Sequence, residues 1–150
     1  MPEDSGARSA SRVHPVKVGI EDVVPNRRLG GDIRVLLSPA TAEATSGFMG
    51  VAKLRPGERI TEHYHPFSEE FIYVARGSLL VGLDGEPLEL ARGEALMVPL
   101  CTRHWLTSLG KEEAFIVFFL SPLAPRPELG HVETRRTDGC HAPATGGRSR

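Results

Sequence analysis

Turn-forming residues punctuate this chain roughly every eight to twelve positions, and the stretches between them are too short for substantial helices. Sixteen glycines and twelve prolines supply most of that punctuation in 150 residues, against a usual combined share of about 12%. The runs between turns are rich in β-branched and aromatic side chains, which suit a pleated, half-buried surface. Phe48 to Leu54 precedes the turn pair Pro56-Gly57, and Phe71 to Ala75 reads FIYVA. Leu79 to Leu83 and Pro87 to Leu90 flank Asp84-Gly85, a pair suited to a tight type I′ hairpin. Ala95 to Val98 ends at Pro99. Ala114 to Leu120 is nearly all apolar and reads as a strand buried on both sides. An earlier strand, Ile33 to Leu37, is expected at a sheet edge. The expectation is an all-β sandwich or barrel with no amphipathic helix.

The length allows one domain with tails, and 40% hydrophobic against 25% charged residues makes it globular. Boundaries are expected at a polar leader over 1–14, a folded domain over 15–121 and a disordered tail over 122–150. The far end of that tail carries Arg135, Arg136, Arg148 and Arg150 against Asp138 and too little apolar surface to offset its ordering entropy. A net charge of -1 excludes nucleic acid as the main partner. The longest apolar run, seven residues, is far short of the about twenty that cross a bilayer, so no membrane partner is expected. The leader has no apolar segment of the secretory kind. Cys101 and Cys140 read as reduced thiols of a cytoplasmic protein.

The chemistry is concentrated in the segment 57–71, Gly-Glu-Arg-Ile-Thr-Glu-His-Tyr-His-Pro-Phe-Ser-Glu-Glu-Phe. On a strand, His63 and His65 share a face about 7 Å apart, while Tyr64 turns aside. Glu70 follows a turn, on a strand that can fold back beside the first, and a third strand can deliver His104. Three imidazoles and a carboxylate make a nitrogen–oxygen donor set suited to zinc, iron, manganese or nickel. A His-x-His pair alone is weak evidence, since histidines are common on half-wet strands; the surrounding spacings carry the weight.

Those spacings resemble the cupin pattern. Gly57, His63, His65, Glu70 and Gly77 meet its first motif, Gly-x5-His-x-His-x3/4-Glu-x6-Gly, without a gap. Gly93, Pro99 and His104 meet the second, with Cys101 where glycine is usual and Ser108 where asparagine is usual. The resemblance implies a single-domain double-stranded β-helix, or jelly-roll barrel, holding one divalent metal on His63, His65, Glu70 and His104, and commonly a homodimer. Counting back from Gly77 selects Glu70. Strand alternation agrees, placing Glu70 with Ile72 and Val74; the alternative, Glu69, shares its face with Phe71 and Tyr73.

The run from residue 46 to 77 is similar to small cupins of bacterial aromatic polyketide clusters, the kind found in spore-pigment, tetracenomycin and resistomycin biosynthesis. That similarity runs from about residue 16 to 120 and implies a metal-dependent polyketide cyclase, lyase- or isomerase-like, closing rings in a poly-β-keto intermediate by aldol chemistry. Zinc is the first choice of metal, ahead of iron, nickel or manganese, with a metal-bound water as base. Glu69 and Tyr64 are weak candidates for a protein base. The expected partners are a polyketide intermediate, free or on an acyl carrier protein, and the minimal polyketide synthase. Two other readings compete: an oxygenase acting on an aromatic or polyketide substrate, and a non-catalytic accessory cupin that binds a small molecule. His14, His131 and His141 read as solvated. Trp105 reads as core, as do Phe48, Met49, Phe115 and Phe118, some of which can line a pocket.

Overall fold

The computed structural model describes residues 14–134. Ten strands follow one another: β1 (Asp32–Leu37), β2 (Phe48–Leu54), β3 (Arg59–Tyr64), β4 (Glu69–Arg76), β5 (Ser78–Leu83), β6 (Glu86–Ala91), β7 (Ala95–Val98), β8 (His104–Leu109), β9 (Ala114–Ser121) and β10 (Val132–Glu133). A single helical turn, α1 (Pro39–Ala42), separates β1 from β2. The strands form two five-stranded antiparallel sheets, ordered β1-β2-β9-β4-β7 and β10-β3-β8-β5-β6, facing each other as an all-β jelly roll.

Period-two alternation builds the core between the sheets. Along β4, Glu70, Ile72 and Val74 are buried while Phe71 and Tyr73 stand exposed. Along β9, Ala114, Ile116, Phe118 and Leu120 point inward. The other face of β9 is not buried as its apolar run suggested. Among the described residues no layer covers it, and Phe119 keeps 39% of its surface exposed. The early strand does lie at a sheet edge, as β1.

Turn chemistry follows the sequence closely. Asp84 and Gly85 both take positive φ, 47° and 89°, as the hairpin between β5 and β6 requires. Cys101 has φ 61°, which explains why glycine is usual at this point of the motif. The expectation of a reduced thiol fails there: Cys101 is disulfide-bonded. Its side chain is half-buried in the loop between β7 and β8. Cys140 lies outside the described residues.

Two more expectations are corrected. Trp105 faces away from the barrel interior, half-buried, with the Arg59 guanidinium 4.1 Å over its ring. The tail does not begin at 122. Residues 122–134 form a strap that returns to the barrel, where Val132 and Glu133 pair with Tyr64 and His63. The Ser68 hydroxyl donates to the Pro122 carbonyl at 2.6 Å, and the Thr134 amide donates to the Glu62 carbonyl. Edge pairing on β3 gives this Pro/Gly-rich segment backbone partners that its composition does not advertise. The remainder, 135–150, and the expected leader up to residue 13 lie outside the described residues.

Candidate metal centre

Strand register brings the four expected donors together. His63 lies directly opposite His104 across the β3–β8 pair. His65 follows β3 by one residue, on the same side as His63. Glu70 comes from the other sheet, on β4 between Leu120 of β9 and Val98 of β7. The group therefore bridges the sheets, with one donor atom from each residue within 4.8 Å of the others. All four side chains are buried, His104 completely. Ring centres lie 5.0 Å apart for His63 and His65, 4.3 Å for His63 and His104, and 5.3 Å for His65 and His104.

Each imidazole is oriented through its other nitrogen. The Nδ1–H of His63 donates to the Thr61 carbonyl at 2.7 Å, that of His65 to the Gly130 carbonyl at 2.7 Å, and that of His104 to the Thr102 carbonyl at 2.8 Å. Such bonds fix the tautomer and leave Nε2 as the donor toward a metal. Around Glu70 the nitrogens converge. His104 Nε2 lies 2.8 Å from Oε2 and His65 Nε2 3.3 Å from the same oxygen, the latter without hydrogen-bond alignment.

The electrostatics follow from burial and this convergence. Burial, with His104 beside it, pushes His63 down to about 3, so it is neutral at physiological pH. Burial alone would raise Glu70; the imidazoles of His104 and His65 overcome it and hold the carboxyl below its ordinary range. His104 is the converse, with burial opposing its charge and the Glu70 carboxylate raising its pKa.

This arrangement fits a divalent cation. Among the described residues the buried Nε2 of His65 has no hydrogen-bond partner, three Nδ1 atoms are bonded to carbonyls, and the Glu70 carboxylate sits among the Nε2 atoms. Borderline metals such as zinc take this imidazole–carboxylate set. Of the catalytic candidates, neither Glu69 nor Tyr64 is among the residues lining the cavity beside the cluster. Tyr64 is packed in the core and Glu69 is half-buried at the start of β4.

That cavity has a volume of about 760 Å³, within the size range of small-molecule sites. His63, His65 and Glu70 stand in its wall, and Phe48, Ile116 and Phe118 make much of the rest apolar. Met49 and Phe115 do not reach it.

One residue at the site was misjudged from sequence. His131, expected to be solvated, is carried by the strap to a position beside the cluster, its ring centre 4.6 Å from that of His63 and 5.9 Å from that of His65. Its Nε2 is buried without a partner among the described residues, and burial lowers its pKa. The sequence signal was slight: Val132 gives the strap one apolar residue that β3 can receive. His14 is exposed, as expected, and His141 lies outside the described residues.

Comparison with known proteins agrees with the geometry. A family model described as a cupin domain matches residues 50–120. Protein SchB of Streptomyces halstedii is 60% identical over 121 residues, covering 81% of this chain and 88% of that protein. The tetracenomycin polyketide synthase protein TcmJ of Streptomyces glaucescens is 51% identical over 118 residues, 79% of each chain. Among solved structures, one from Thermotoga maritima described as a predicted oxalate decarboxylase superposes with a TM-score of 0.63. It covers 72% of this chain and 100% of that one, at 19% identity, a likeness of fold.

Proposed function

The chain belongs to the cupin family, and we propose that it is a metal-dependent cyclase of aromatic polyketide biosynthesis, acting on a poly-β-keto intermediate. The observation that carries the reading is the junction of a complete His-His-Glu-His donor set with a largely apolar cavity of about 760 Å³. The relative named as a polyketide synthase protein supplies the pathway context.

In this reading His63, His65, Glu70 and His104 hold one divalent ion, zinc before iron, nickel or manganese. Bound there, the ion would supply Lewis acidity to paired carbonyl oxygens, which makes the methylene between them more acidic. The protein's larger contribution is positional. Phe48, Ile116 and Phe118 offer apolar walls that exclude water and restrict a flexible chain of ketones to one folded register, so proximity selects which ring closes. Neither Glu69 nor Tyr64 is given the role of base, since neither lines the cavity.

The partners are the polyketide intermediate, free or on an acyl carrier protein, and the minimal synthase in the cytoplasm. A second copy of this chain joins them, because Phe71, Tyr73, Met97 and Phe119 form a continuous exposed apolar face across β7, β4 and β9.

Reconstitution with the minimal synthase under anaerobic conditions tests the reading. A cyclised aromatic product that is lost on chelation and in His63→Ala supports the cyclase. A product that needs dioxygen makes the protein an oxygenase. A product unaltered by His63→Ala makes it an accessory binding protein.

A further inference from the structure

The four donors of the metal centre all lie at or before residue 104, yet the chain brings a fourth imidazole to their side from the strap. Its placement is well anchored. β10 pairs with β3 at His63 itself, Arg28 ion-pairs with Glu133 at 3.3 Å, and the residue just before His131 accepts the Nδ1–H of His65. The strap therefore touches two of the donors through its backbone while presenting a side chain to the cavity.

His131 is not a fifth member of the donor cluster. The set whose donor atoms lie within 4.8 Å of one another comprises His63, His65, Glu70 and His104. The His131 ring instead lies across that of His63 with the planes at 35°, and the residue forms part of the cavity wall. Its Nε2 is buried and makes no hydrogen bond within the described residues. Elsewhere in that wall the Ser68 hydroxyl donates to Pro122 and Asn26 Oδ1 accepts from the Arg28 amide, while the partnerless Nε2 of His65 belongs to the donor set. A buried nitrogen without a partner is costly, and a bound molecule that supplies an oxygen removes the cost.

We propose that His131 is a substrate-binding residue, whose Nε2 hydrogen-bonds an oxygen of a ligand seated at the metal centre. The ligand class is an enolised 1,3-dicarbonyl or an equivalent pair of adjacent oxygens. With the oxygen pair at the metal centre, one of its oxygens would also accept from the His131 imidazole, which sets the direction in which the rest of the molecule runs along the apolar cavity. This inference rests on the metal-site reading and deepens the cyclase reading.

The test uses cobalt-loaded full-length protein and acetohydroxamate, an oxygen–oxygen chelator that needs no polyketide. Cobalt stoichiometry and the visible spectrum are followed during hydroxamate titration of wild type, His131→Ala and His131→Gln. The expected result is unchanged cobalt uptake in both variants, with hydroxamate affinity about tenfold weaker in His131→Ala and partly restored in His131→Gln, the size of one lost hydrogen bond. Equal hydroxamate affinity in wild type and His131→Ala overturns the inference. Cobalt loss in His131→Ala and His131→Gln also overturns it, making the residue a metal ligand. A wild-type protein that takes up no cobalt overturns the metal-site reading and this inference together. A positive hydroxamate result with no cyclised product in reconstitution leaves His131 in place and removes only the cyclase.

Discussion

Replacing Glu70 by Gln keeps the shape of the side chain and removes its charge, so it separates the carboxylate's electrostatic role from packing. In the metal-free protein, Oε2 of Glu70 lies 2.8 Å from Nε2 of His104, both groups being buried. The carboxylate raises the His104 pKa, so that bond is charge-assisted. In Glu70→Gln a neutral His104, its Nδ1–H still on the Thr102 carbonyl, can only accept from the amide. Exchanging a charge-assisted bond for a neutral one costs about 1–1.5 kcal/mol, or about 3–6 °C in Tm for a domain of this size. Metal affinity suffers more, because an anionic donor has been lost; it should fall by more than about 100-fold, beyond what loss of an outer-shell partner causes. Glu69→Gln is the control, half-buried and away from the cavity. Calorimetry of the metal-free proteins and competition with a chromophoric chelator read the two effects. The reasoning is refuted if Glu70→Gln binds metal as wild type does, or if Glu69→Gln loses as much.

Acid should destabilise the metal-free protein. His63 has a folded pKa of about 3 against about 6.5 unfolded, so its contribution is complete above pH 6.5 and is lost at up to about 1.4 kcal/mol per unit between 6.5 and 3. Glu70, lowered on folding, adds a loss in the same direction below its unfolded value, whereas His104, raised on folding, contributes below 6.5 and fades as pH rises through its folded value. Urea melts from pH 4 to 7 check this, and a flat profile contradicts it. Phe71→Glu combined with Tyr73→Glu should convert a homodimer to monomer in sedimentation while leaving metal uptake intact; an unchanged sedimentation coefficient removes that interface. Protein from cells lysed in an alkylating agent should show Cys101 protected from modification by its disulfide. Full alkylation at Cys101 shows that it forms only after oxidation.

Much of the site was legible because strand geometry is periodic and local. The i, i+2 rule placed His63 and His65 on one face, and the same rule set Glu70 with Ile72 and Val74 and turned Glu69 toward Phe71 and Tyr73. Asp84-Gly85 and Pro99 marked the turns that return β6 and β8 to the barrel. What escaped depends on contacts distant in sequence. A two-residue strand such as β10 is too short to show any alternation, and its stability comes from the open edge of β3, which the strap's own composition does not reveal. His131 was therefore misplaced with its segment. Trp105 was assigned its correct alternation but the wrong surroundings, since sequence does not say whether the outer face of a sheet is covered.

Diffraction data collected at the absorption edge of the bound metal, from crystals of the metal-loaded protein, address the metal centre without any assumption about substrate. One anomalous peak per chain is expected, about 2.0–2.2 Å from the Nε2 atoms of His63, His65 and His104 and from a carboxylate oxygen of Glu70. A peak elsewhere, or a loaded crystal in which His104 and Glu70 remain bonded to each other with no ion between them, contradicts the account.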